Sequence, residues 1–83
     1  MRLSERQMSI LGALSEVGPG NSAAQIAEAA WADTSEQAIA KVRRCLVGMW
    51  GKGLVVRDDM KGVRWWLRSS GSAALEIARR ARR

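Results

Sequence analysis

Eighty-three residues, 47% of them apolar and 27% charged, suffice for one small domain near the size where a single core is only marginally stable. They are too few for a second domain and too hydrophobic for a disordered chain. Cys45 is the only cysteine and histidine is absent, which excludes an internal disulfide and any thiolate or imidazole zinc site.

The net charge of +6 is unevenly spread. Up to residue 40 two bases face five acids, a net of −3; from Lys41 onward twelve bases face three acids, a net of +9. A polyanion is the natural partner for the second half. No apolar run approaches the roughly 18 residues of a membrane span, and the opening "MRLSERQMSIL" lacks the apolar stretch of a signal peptide. An intracellular protein without a membrane partner is expected.

Three serine or threonine residues are each followed three positions later by glutamine, the wording of a capping box: Ser4 with Gln7, Ser22 with Gln25, and Thr34 with Gln37. The first opens a helix over about 4–17, in which Met8, Leu11, Leu14 and Val17 repeat at helical spacing beside Ile10, until "GPGN" stops it. The second opens a short alanine-rich helix over about 22–31, with Ile26 and Ala30 on its buried face and Trp31 beside them. Asp33 or Thr34 restarts the chain within a few residues, so the pair reads as a helix-turn-helix.

The third helix, over about 35–50, carries Ile39, Val42, Leu46 and Met49 on one stripe, and Gly51 and Gly53 close it. Cys45, at the edge of that stripe, reads as a small core residue. A rotation of about 100° per residue puts Gln37, Ala40, Lys41, Arg44, Gly48 and Gly51 on the opposite side, with Arg43 and Val47 on the flanks. Gly48 costs about 1 kcal/mol relative to alanine inside a helix. Either a ligand backbone comes close there, or the helix is already fraying toward Gly51.

"LVVR" and "VRWWLR" have strand composition, and "DDMKG" between them suits the turn of a hairpin spanning about 54–68. Alternation sends Val63, Trp65 and Leu67 to the core face and Arg64, Trp66 and Arg68 to the other. Trp66 then has three candidate covers: another helix of the chain, a second protein surface, or a nucleic-acid backbone. A last helix over about 72–82, opened by Ser72, has Ala74, Ile77, Ala78 and Ala81 as its apolar side. It ends in "ARRARR", where Arg79, Arg80, Arg82 and Arg83 exceed what complementing the helix dipole needs; a phosphate-binding tail is their second use.

The order helix, helix, helix, hairpin, helix describes an α+β chain and resembles the winged helix-turn-helix over nearly all of residues 1–83, taken as one domain. "SAAQIAEAA" resembles that fold's second helix, and "VRRCLVGMWGKGLVVRDD" resembles the end of a recognition helix running into the wing. "WWLRSSGSAALEIARR" is similar to the return strand and following helix of MarR-type regulators. Two features depart from them: Arg68 stands where threonine is usual, and the chain is too short for their long dimerisation helices.

The resemblance implies a protein that binds double-stranded DNA in a sequence-specific manner, a small repressor-like regulator of the cytoplasm and nucleoid, without catalysis, cofactor or metal. Its recognition helix would read bases through Gln37, Lys41 and Arg44. Arg43, Lys52, Arg57, Lys61 and Arg64 would contact the backbone, where charge and reach suffice. Trp66 and Ile77 are the candidate protein-interface residues, Trp66 for a partner protein and the last helix for a homodimer. A winged helix can also serve only as a docking module, with Trp66 and the neutral stretch around Val47 and Gly48 as its surface.

Overall fold

In a computed structural model, residues 3–17, 20–60 and 62–81 are described. Capping organises the first half. Before helix α1 (Glu5–Val17), the Ser4 amide donates to Gln7 Oε1 at 2.9 Å and the Gln7 amide donates to Ser4 Oγ at 3.1 Å. The same reciprocal pair, at 2.9 and 3.3 Å, joins Ser22 to Gln25 before α2 (Ala23–Trp31). Each box satisfies two amides that the helix itself cannot.

The third box does not form. Ser35, not Thr34, caps α3 (Glu36–Gly51), accepting the Ala38 amide at 3.2 Å. Two events set this frame. Ala32 ends α2 in the left-handed conformation (φ 52°, ψ 37°) with its amide on the Glu28 carbonyl, and Asp33 Oδ1 then accepts the Ser35 amide at 2.9 Å. An aspartate folding back on the chain two residues ahead is a local turn that delivers Ser35 to the cap. The buried stripe of α3 is Ala38, Val42, Leu46 and Met49, with Ile39 only partly buried beside it.

Strands β1 (Val55–Asp58) and β2 (Arg64–Leu67) pair antiparallel, Val55 opposite Leu67, Val56 opposite Trp66, Arg57 opposite Trp65 and Asp58 opposite Arg64. Directly opposed side chains share a face. Val55, Arg57, Trp65 and Leu67 therefore lie on one side, and Val56, Asp58, Arg64 and Trp66 on the other. Trp65 is buried and Leu67 partly so, as alternation requires. Val63 is not: it precedes β2 and is 41% exposed. The second edge of β2 is paired as well, since Asn21 and Trp65 exchange both backbone hydrogen bonds, at 3.2 and 2.8 Å. A sequence that ends one helix with "GPGN" and caps the next with Ser22 leaves a single residue free for this bridge.

Helix α4 (Ser69–Ala81) begins three residues before the expected Ser72. The Arg68 amide donates to the Leu54 carbonyl and the Ser72 amide to the Arg68 carbonyl, so Gly71 falls in the first turn instead of before it. That frame buries Gly71 and Leu75, with Ala74 and Ala78 partly buried. Ile77, at 67% exposure, and Ala81 face away from the core, contrary to their expected place on the apolar side. On α1 the buried residues are Ile10, Leu11, Gly12, Ala13 and Leu14, whereas Val17 is 42% exposed. Ile10, Leu11, Ile26, Val42, Leu46, Met49 and Val55 are the largest fully buried side chains of one hydrophobic cluster, to which all four helices and both strands contribute. Among the described residues the fold is α+β, four helices with a two-stranded antiparallel sheet.

Candidate nucleic-acid interface

The outer side of α3 follows from its inner side. Gln37, Ala40, Lys41, Arg43, Arg44, Val47, Gly48 and Gly51 are all exposed. The helix continues through Gly48 to Gly51 without fraying, and a β-carbon at either glycine would meet nothing within 4 Å. Replacing Ile39 by Ala38 in the buried stripe turns the outward line of the helix by roughly 25°. Arg44 stays close to that line, at about 25° from it, and Gln37 lies at about 45°. Val47 moves in to about 35° and Lys41 moves out to about 85°.

Lys41 thereby turns toward the flank away from the hairpin, on the same side of the helix as Gln37 and farther from Arg44. There it lines a shallow pocket of about 310 Å³ with Arg6, Trp31, Asp33, Ser35 and Gln37. The Asp33 carboxyl is held below its ordinary pKa of 3.8, first by the Ser35 amide, then by the Ser35 hydroxyl, with a smaller contribution from the Lys41 charge. Among the described residues none of Lys41, Arg43 and Arg44 has a carboxylate within ion-pair distance.

The opposite flank carries Arg43, whose side faces a groove of about 460 Å³ between α3, the first residues of α2 and the hairpin. Val47, Arg57, Val63 and Trp65 line the rest of it. Arg57 is positioned by two neighbours. Its guanidinium carbon lies 5.5 Å from the centre of the Trp50 ring, and its Nη2 lies 4.0 Å from Asp59 Oδ2. Trp50, 45% exposed, meets the buried Trp65 edge to face, with centroids 6.2 Å apart and planes at 81°. A cation over an indole gains from the ring quadrupole while remaining open to solvent. Trp50 therefore holds Arg57 toward α3, a role the sequence signals only through an aromatic one turn after Leu46 and Val47.

No protein-family model, curated protein or solved structure matches this chain. What the surface can do is read from its own residues. The expected backbone contacts do not share a face. Arg57 belongs with α3, whereas Arg64 lies on the other side of the sheet, where its Nη1 donates to Gln25 Oε1 at 3.1 Å. Lys52, exposed, follows the last turn of α3, its amide bonded to the Met49 carbonyl. Lys61 lies outside the described residues.

Trp66 is half-buried, and part of its cover comes from within the chain, at the α1–α2 connection. Its ring lies on Gly20, with Cζ2 3.2 Å from where a β-carbon on that residue would sit, and Gly20 has a φ of +79°. Only glycine tolerates both conditions. Of the C-terminal arginines, Arg79 lies over α1, its Nη2 3.1 Å from the β-carbon position of Gly12. Arg80 donates to Glu76 Oε1 at 2.6 Å, and Arg82 and Arg83 lie outside the described residues. Cys45 is half-buried against the core. Among the described residues no cluster of three or more His, Cys, Asp or Glu side chains could hold a metal, and no helix is long and apolar enough to cross a membrane.

Proposed function

We propose that this chain is a winged helix-turn-helix domain that binds double-stranded DNA in a sequence-specific manner and serves as a small, repressor-like transcriptional regulator. The observation that carries the reading is the outer side of α3, where Lys41, Arg43 and Arg44 are exposed with no carboxylate of the described residues in ion-pair distance and Arg57 is held beside them by Trp50. The fold reading is supported by the short connection between α2 and α3, by the hairpin that follows α3, and by the Asn21 bridge that ties the hairpin to the α1–α2 connection.

In this arrangement α3 enters the major groove. Arg44 and Gln37 face the base edges, arginine suited to guanine O6 and N7 and glutamine to adenine N6 and N7. Lys41, Arg43, Lys52 and Arg57 straddle the helix and neutralise phosphates on both sides, which fixes register without reading sequence. Arg64 contributes to the general positive field.

The test is selection of bound duplexes followed by titration at two salt concentrations. Four phosphate contacts give about a hundredfold loss of affinity between 50 and 200 mM salt. Arg44→Ala relaxes the preference at one base pair by about 1–3 kcal/mol. An affinity that barely responds to salt overturns the reading. The second reading, a protein-docking module, is favoured by the exposure of Val47 at 55% and Trp50 at 45%; it predicts a partner whose binding survives Arg43→Ala and Arg57→Ala. Sedimentation with and without DNA decides whether the outward Ile77 on α4 joins two copies.

A further inference from the structure

Val47 has no evident purpose in the fold. It is 55% exposed between the buried Leu46 and the open Gly48, and a β-branched side chain in an exposed helical position has lower helix propensity than alanine. On its outer side the neighbouring Gly48 and Gly51 bear no side chains to cover it, and a β-carbon at either would meet nothing within 4 Å. Arg44 precedes it by three residues on the same face, and Arg43 and Arg57 line the groove it borders. The groove that Val47 borders also has Val63 and Trp65 in its lining, so the isopropyl group stands where apolar surface meets three cations, whose water a wholly apolar partner would strip. It suits a polyanion that presents a methyl group.

Resting on the DNA-binding reading above, we infer that Val47 is a specificity-determining residue that recognises the C5-methyl group of a thymine in the major groove. That methyl is the apolar feature of the groove edge, and it distinguishes A·T from the other pairs together with the O4 acceptor. The bare surface at Gly48 and Gly51 lets the groove floor approach α3 closely enough for a side chain as short as valine to reach it. Arg44, one turn before Val47, reads a guanine next to or one step from that thymine. Val47 is thus a reader of the base pair, whereas Lys41, turned to the flank, contacts phosphate.

The experiment uses the full chain and the duplex selected by it. Each thymine of the site is replaced in turn by deoxyuridine, which removes only the methyl, and affinities are measured for the wild-type protein and for Val47→Ala. One position shows a three- to fivefold loss on removal of the methyl with the wild-type protein, about what burial of one methyl carries. Val47→Ala binds thymine and uracil equally at that position and retains the wild-type response at all others. Circular dichroism of Val47→Ala matches the wild type, since the residue is outside the core. A site in which no thymine methyl depends on residue 47 overturns the inference while the salt-dependent binding of the wild type upholds the DNA reading; failure to select any duplex overturns both.

Discussion

The α-carbon of Gly71 faces the carbonyl oxygen of Leu54 with no room for a β-carbon between them, and Leu67 Cδ1 would lie 2.9 Å from that atom as well. The same carbonyl accepts the Arg68 amide at 3.1 Å, and the Leu54 amide donates to Met49 at 3.0 Å. One residue thus ties the end of α3, the start of β1 and the first turn of α4.

Gly71→Ala forces backbone against backbone, where no rotamer change relieves the clash. A loss of more than about 2 kcal/mol in urea unfolding is expected. Gly48→Ala, where space is open, gains about 0.5–1 kcal/mol from helix propensity. Equal effects at the two glycines are incompatible with this packing.

Trp66→Ala uncovers Gly20 and leaves Val56 without its cross-strand partner. For a half-buried indole the expected cost is about 1–2 kcal/mol, with the sedimentation mass unchanged. A variant of native stability that changes its state of association instead identifies Trp66 as a contact between chains.

Asp33 supplies a pH dependence. Its carboxyl has a lower pKa folded than unfolded, chiefly because the charged form accepts the Ser35 amide. A group lowered in this way stabilises the fold above its unfolded value, and the contribution is lost as pH falls through the folded value. The difference in melting temperature between the wild type and Asp33→Ala is full at pH 6 and shrinks below pH 3.8. A difference that is constant from pH 6 to pH 2.5 contradicts the assignment.

On the proposed DNA-binding reading, Asp59 competes with phosphate for Arg57. Asp59→Asn removes a carboxylate 4.0 Å from the guanidinium, at a site exposed enough that stability changes by less than about 0.5 kcal/mol. DNA affinity at low salt rises by about threefold and its salt dependence steepens. On the same reading, the change in tryptophan emission on adding DNA that is lost in Trp50→Phe reports the release of Arg57 from the Trp50 ring.

Much of the local structure was legible. Ser4 and Ser22 with their glutamines form the expected boxes because such pairs act within four residues, and the core positions Leu11, Leu14, Ile26, Val42, Leu46, Met49 and Trp65 follow from periodicity alone. Thr34 misled because it has the same spacing as a capping residue. Asp33, one residue earlier, spends its carboxylate on Ser35 and leaves Ser35 as the cap, while packing against the neighbouring helices decides that Ala38 is buried and Ile39 only partly so. Ser72 misled for a related reason: a glycine before a serine reads as a helix boundary, while here Gly71 is needed inside the first turn by the Leu54 carbonyl.

The sequence by itself determined four helices, a hairpin, the buried place of Trp65 and the concentration of positive charge after residue 40, since these depend on neighbours within one or two turns and on composition. Tertiary structure decided which charges stand together. Arg57 reaches α3 through Trp50, Arg64 turns to Gln25, Arg79 lies over Gly12, and Trp66 closes on Gly20. Each of these pairings joins residues between 7 and 67 positions apart, and at such separations no periodicity operates. Packing of the elements against one core sets them, and it also sets how far each helix is turned about its own axis, as the roughly 25° between the expected and observed outward lines of α3 shows.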